Sequence, residues 1–251
     1  MSNFKFHIFG AGRGGTSLLA GVLDAHPQVR VMIERHSIAH LCGRAAMYDN
    51  QPISGAEEAA ARVDNFIAAC NAEAALSPDL MFGHKSTTEQ VGALRLPMST
   101  EEVVEPDGAM INDEILWHFA QRVSNARVIF ILRDGRTCVR SKMRRAGRTV
   151  EKAVAAWRYS VTVHNVMKRI CPLYCEVKFE SLITRPADEM QRICEFLEIE
   201  YVPEMLNGTN NPAIRKEYRR MGFDSDILTL DGCDDWAGRE MRDELLELGY
   251  I

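Results

Sequence analysis

No run in this chain is apolar for long enough to span a bilayer, and its first residues, MSNFKFHIFG, show no charged leader followed by an apolar stretch of signal-peptide length. The expectation is a cytoplasmic protein without a membrane span. An excess of positive charge is also missing, since 30 Lys and Arg stand against 35 Asp and Glu, a formal net charge of −5. That balance argues against a general nucleic-acid surface, so any anion site must come from local clustering. Cysteine pairs are absent too. Cys42, Cys70, Cys138, Cys171, Cys175, Cys194 and Cys233 are odd in number and scattered through apolar surroundings, with no C-x-x-C. They read as reduced thiols in or near the core rather than a disulfide framework or a metal site. Internal repeats are lacking. With 46% hydrophobic and 26% charged residues over 251 positions, the chain suits one globular domain, 1–251, burying roughly three quarters of its apolar surface.

What is there begins at residues 4–29, FKFHIFGAGRGGTSLLAGVLDAHPQV. Phe4, Phe6, Ile8 and Phe9 make a strand-like run, Gly10, Gly12, Gly14 and Gly15 a turn, and a helical pattern follows at once. Glycines let backbone approach a ligand, and the unpaired N–H groups and positive dipole end of a new helix attract an anion. Phosphate binding is expected here. Three templates share these residues. The nucleotide-hydrolysing loop G-x-x-x-x-G-K-[ST] fits Gly10 and Gly15, but Thr16 stands where the lysine should be. The dinucleotide fingerprint G-x-G-x-x-G fits Gly10, Gly12 and Gly15, with Glu34 near the place of a ribose-binding carboxylate. The third is an arginine, small residues and paired hydroxyls: Arg13, Gly14, Gly15, Thr16 and Ser17 can offer a cation, N–H groups and two hydroxyls to a phosphate–sulfate group.

Beyond the loop, Leu18, Leu19, Val22 and Leu23 mark a helix stopping near His26–Pro27, then a strand over Val29–Ile33 leaves Glu34 at its carboxyl end. Residues 37–77 read as alanine-rich helix broken at Asn50, Gln51, Pro52 and Gly55, with Val63, Phe66, Ile67 and Cys70 on one face. Leu80, Met81 and Phe82 read as a short buried strand with Lys85 at its exit, and His84 reads as structural. Helix, loop and turn are expected up to Asp107, then a helix over Asp113–Val123. RVIFIL, Arg127–Leu132, is the clearest buried strand. It runs into Arg133, Asp134, Gly135 and Arg136 and a helix bearing Arg140, Ser141, Lys142, Arg144, Arg145 and Arg148. This positive cluster in an acidic chain points to a second anion site, because guanidinium forks pair with phosphate. Ser141 lies about two helical turns past Arg133, so the helix start must bend over a ligand for both to reach it. A long helix over Val150–Ile170, a strand over 176–179, a helix over Pro186–Leu197, a loop over 207–218 and a helix over 236–248 complete the reading.

Two of these stretches resemble signatures of the sulfotransferases that use 3'-phosphoadenosine 5'-phosphosulfate (PAPS), closest to the tyrosylprotein sulfotransferase branch and bacterial relatives. RGGTSLLAGVLDAHPQV is similar to the family's first signature, with Gly14 where serine is usual. ILRDGRTCVRS is similar to the second. The likeness covers about residues 4–36 and 112–200. It implies an α/β fold, a central parallel sheet of the P-loop type flanked by helices in three layers. The resemblance further implies 3'-phosphate ligands at Arg133, Ser141 and Arg145, a catalytic glutamate at Glu34, and a catalytic lysine at Lys85 beside Arg13. Gly12, Arg13, Gly14, Gly15, Thr16 and Ser17 would hold the 5'-phosphate and sulfuryl oxygens. VKFESLITRP looks like the strand and loop near the adenine, with Phe179 where tyrosine is common. A C-terminal loop over 210–216 could cover the nucleotide. The implied partners are PAPS as donor, 3',5'-adenosine bisphosphate (PAP) as product, and an acceptor that is a small molecule, saccharide, lipid or peptide. The scheme requires no metal. The alternatives carried forward are a P-loop nucleotide kinase using ATP, favoured by the Walker-B-like end of RVIFILRD, a dinucleotide dehydrogenase, and a nucleotide-binding module without transfer activity.

Overall fold

Five short strands alternate with helices, and each strand is apolar on both faces where it is central. In a computed structural model that describes residues 3–43, 55–94, 113–219 and 221–251, the strands are β1 (Phe4–Gly10), β2 (Val29–Ile33), β3 (Met81–Lys85), β4 (Arg127–Leu132) and β5 (Tyr174–Lys178). They form one all-parallel sheet in the order β2-β3-β1-β4-β5. Its helices, in chain order, are α1 (Thr16–Asp24), α2 (Ala56–Ala74), α3 (Thr88–Gly92), α4 (Asp113–Val123), α5 (Gly135–Ala146), α6 (Val150–Ile170), α7 (Phe179–Thr184), α8 (Pro186–Leu197), α9 (Asp235–Glu240) and α10 (Arg242–Glu247).

Strand β4 shows why RVIFIL is apolar throughout. Ile129 and Ile131 join one core with Phe6, Ile8, Leu19 and Leu23 of β1 and α1 and with Ile193 and Leu197 of α8. Val128, Phe130 and Leu132 point the other way, into a core with Phe66 of α2, Phe119 of α4 and Trp157 and Val161 of α6. A period of two on a strand covered on both sides demands this pattern, and parallel sheets need the crossover helices that supply the cover. The register pairs Gly10 with Ile131, Ile33 and Ile8 with Lys85, and Leu132 with Lys178. All five carboxyl ends therefore open on one edge, where open α/β sheets bind ligands. All seven cysteines are free thiols, six of them buried. No helix of the described residues is long and apolar enough to cross a membrane.

Several sequence expectations are corrected. The strand expected over 176–179 is Tyr174–Lys178, and Phe179 instead opens α7, because its ring turns in beneath the glycine loop. The third strand does not stop at Phe82 but continues through Lys85, held by ladders to β1 and β2 on both sides. Residues 236–248 form two short helices rather than one. The backbone leaves the helical region at Met241 (φ −101°, ψ 12°), where the buried Met241 is seated beside Gly135 and Trp157. The loop expected over 207–218 contains parts of two 3₁₀ turns, Pro203–Asn210 and Lys216–Tyr218. Of the stretch 37–77, a π-helical turn over Ser37–Leu41 and α2 are described. The break at Asn50, Gln51 and Pro52, and the segment from 95 to Asp107, lie outside the described residues.

Candidate active site

Where β1 ends, the chain folds tightly before α1 begins. The Gly14 N–H donates to the Ala11 carbonyl at 2.8 Å, and a Cβ on residue 14 would lie 2.7 Å from that same oxygen. The serine usual at this place would not fit the turn. Gly15 has φ +100°, and a Cβ there would meet the Phe179 ring at 2.3 Å. Arg13 takes φ +70° without being glycine, a sparsely populated conformation that surrounding contacts must hold. One such contact comes from α3 through the neighbouring residue. Glu89 accepts the Gly12 N–H at 2.8 Å and ion-pairs with the buried Lys142 of α5. Burial pushes the Glu89 carboxyl up, yet Lys142 and the Gly12 N–H outweigh it and hold the group down at about 2.

Glu34, just past β2, also adopts a left-handed backbone (φ +58°). Its N–H donates to the Lys85 carbonyl at 2.9 Å, which continues the β2–β3 ladder by one rung and turns the carboxylate toward the Lys85 ammonium. The two side chains form an ion pair in which Lys85 is 1% exposed and Glu34 18%. Burial alone would raise the Glu34 carboxyl. The Lys85 charge and hydrogen bond, the Arg215 charge and a Gln90 hydrogen bond together bring it below the ordinary carboxylate value. Glu34 is therefore ionised at neutral pH and able to accept a proton.

Arg133 follows β4 and is buried. Its guanidinium donates to Thr137 Oγ1 at 2.9 Å, to the Arg13 carbonyl at 2.9 Å and to the Ile227 carbonyl at 3.1 Å. It also lies 4.5 Å from the centre of the Phe179 ring, and its own carbonyl is fixed by the Trp157 indole N–H at 2.9 Å. The Arg13 side chain reaches Ser141 Oγ at 3.4 Å. Arg133 and Ser141 both contact Arg13, the first at its carbonyl and the second at its side chain. Asp134 caps α5 by accepting the Arg136 N–H at 2.9 Å and ion-pairs with the Arg136 guanidinium at 2.6 Å.

The glycine loop and the three strand exits line one open cleft. The loop residues Gly12, Arg13, Gly15, Thr16 and Ser17 meet there with Glu34, Lys85, Arg133, Arg145 and Phe179. Gly14 and Ser141 stand behind that wall and act on it through Ala11 and Arg13. Residues 210–216 are anchored to α1 by Asn211, which donates to Gly21 O at 3.2 Å and Asp24 at 3.0 Å, and Arg215 of the same segment acts on Glu34 through its charge. The contact to Arg133 comes from the later turn Ser225–Leu228. Sequence reading missed Thr87, which lines the cleft, and Glu89 and Gln90 behind it. The pattern Thr87-Thr88-Glu89-Gln90 is a capping box, a signal that would have marked a helix start beside Lys85.

Comparisons with known proteins agree with this fold. Over 259 residues the chain is 24% identical to protein-tyrosine sulfotransferase A of Caenorhabditis elegans, covering 97% of this chain and 64% of that protein. Over 217 residues it is 25% identical to a putative protein-tyrosine sulfotransferase of Caenorhabditis briggsae, covering 82% and 70%. This chain thus spans about two thirds of the length of these relatives. The sulfotransferase domain from the curacin biosynthetic pathway shares its fold, with a TM-score of 0.63 over 96% of both chains at 15% identity. The model of the sulfotransferase family matches residues 6–203, and with more than half of its length so matched the chain belongs to the sulfotransferase family.

Proposed function

We propose that this protein moves the sulfuryl group of PAPS to a hydroxyl or amine of an acceptor, with Glu34 as general base. The observation that carries the reading is the Glu34–Lys85 ion pair standing on the same cleft as the Arg13 loop and Arg133. The residues fit a doubly phosphorylated adenosine. A glycine turn with helix N–H groups and Arg13 lines the cleft together with the cations Arg133 and Arg145, and the Phe179 ring offers an apolar wall.

When bound, PAPS supplies an activated sulfuryl group on a phosphate leaving group. The protein's part is positioning and neutralising negative oxygens, the demands of a loose in-line transfer. The α1 N–H groups, Arg13, Thr16 and Ser17 hold the 5'-phosphate and sulfuryl oxygens. Lys85 stabilises charge on the leaving oxygen, and Glu34 takes the acceptor proton. Arg133 and Arg145 would select a 3'-phosphate, with Ser141 behind them holding the Arg13 side chain, and so distinguish this donor from ATP. The two Caenorhabditis relatives are named for protein tyrosine, which makes a tyrosyl phenol the first acceptor to try. A kinase reading has less support, because Thr16 replaces the phosphate-reaching lysine and Asp134, the Walker-B-like carboxylate, is engaged by Arg136.

Calorimetry with PAP, ATP and NAD tests the reading without knowledge of the acceptor. Tight binding of PAP with weak or no binding of the other two supports it. Preference for ATP or NAD overturns it.

A further inference from the structure

Helix α3 begins three residues after Lys85, and its Gln90 is 8% exposed. The side-chain oxygen of Gln90 accepts the Thr87 N–H at 2.9 Å and the Ser37 hydroxyl at 2.9 Å. A backbone N–H can only donate, so the end of the amide facing Thr87 must be the oxygen. The NH₂ end is thereby the one available to the Glu34 carboxylate, and a Gln90 hydrogen bond is among the interactions that hold that group below its ordinary value. Ser37 is itself bound to the Glu34 carbonyl, at 3.0 Å, and the Ile38 N–H donates to the same carbonyl at 2.8 Å. Gln90 is therefore linked to Glu34 through Ser37, which donates to both. Its neighbour Glu89 holds the Gly12 N–H of the phosphate loop. One short helix thus joins the loop that would hold the donor to the carboxylate that would take the proton.

We infer that Gln90 is a positioning residue for the Glu34 base, fixing the carboxylate against Lys85 by an N–H donated from an amide whose oxygen is locked by Thr87 and Ser37. This rests on the reading of Glu34 as base, though the geometry itself does not. A rigid carboxylate matters because proton transfer works only within hydrogen-bond reach of the acceptor. Donation to the ionised form also favours it, consistent with the direction of the Glu34 shift.

The test is a ¹³C NMR titration of the Glu34 carboxyl in the full chain, with Glu34→Gln to assign the signal. Gln90→Leu removes both ends of the amide. Gln90→Glu keeps an acceptor oxygen for Thr87 and Ser37 but replaces the donor with a second carboxylate oxygen, so it guards against loss of the α3 start. The expected result in each variant is a Glu34 titration moved to higher pH by about one unit, larger for Gln90→Glu. PAP binding by calorimetry should stay within about threefold of wild type, and the acid limb of turnover should rise by the same amount as the titration. A Glu34 titration unchanged in either folded variant overturns the assignment. If wild type fails to bind PAP, the sulfuryl-transfer reading falls while the titration still decides whether Gln90 holds Glu34.

Discussion

Arg133 donates to the backbone carbonyl of Arg13 at 2.9 Å across 120 residues of sequence. The contact joins the carboxyl end of β4 to the glycine loop after β1, so the two cationic stretches in the sequence form one site. It also bears on the left-handed backbone of Arg13, since the guanidinium holds the carbonyl that defines that turn. Losing Arg133 should thus cost more than one ligand contact.

Arg133→Ala should weaken PAP binding by about tenfold to a hundredfold, the worth of one charge-assisted hydrogen bond at about 1.5–3 kcal/mol. Calorimetry measures this directly. An affinity within a factor of two of wild type would remove Arg133 from the donor site.

Glu34→Gln should leave PAP affinity nearly unchanged while turnover on a tyrosyl peptide or other competent acceptor falls by about 10²- to 10⁴-fold. Gln keeps the shape of Glu but loses the charge that pairs with the buried Lys85, so circular dichroism must accompany the assay. Undiminished turnover would take Glu34 out of the base role.

The glycine loop makes two separable predictions. Gly14→Ser should gain no PAP affinity, because the new Cβ meets the Ala11 carbonyl before its hydroxyl can face a ligand. Gly15→Ala should lower Tm by several degrees, since an L-residue at φ +100° costs about 1–3 kcal/mol and each kcal/mol is worth about 2–4 °C at this chain length. Differential scanning calorimetry reads the second, and a Tm equal to wild type would contradict the strained turn.

Burial brings the His7 imidazole down to about 3, and His84, its register partner on β3, moves in the same direction. In the unfolded chain a histidine titrates near about 6.5. Below that pH the unfolded chain binds a proton that the folded protein refuses until about pH 3. The stabilisation is present in full above about pH 6.5 and is lost as pH falls, by about 1.4 kcal/mol per pH unit for His7. Urea unfolding at pH 6.5 and 5.5 should show that loss, and His7→Leu should flatten the slope. A slope identical in the variant would mean that His7 is not buried neutral.

Much of the fold was legible along the chain because it is written in local periodicity. The buried run of β4, the break from strand to glycine turn after Phe9, and the long apolar face of α6 each follow from a few neighbouring residues. The positions of Glu34, Lys85 and Arg133 at strand exits could be read the same way. Which exits lie beside one another could not, for strand order depends on pairings between distant segments that leave no mark on neighbours in sequence.

From its residues alone this chain specified strands alternating with helices, a glycine turn at Gly10–Gly15 and a cationic second stretch after β4. Only the tertiary structure decided that β3 sits between β2 and β1, which sets Lys85 against Glu34, that Arg133 closes on the Arg13 carbonyl, and that Glu89 and Gln90 stand behind both. The physical reason is the range of the forces involved. Helix and strand patterns are set by hydrogen bonds and burial over a few residues, whereas an ion pair or an amide clamp exists only when packing brings remote backbones within about 3 Å.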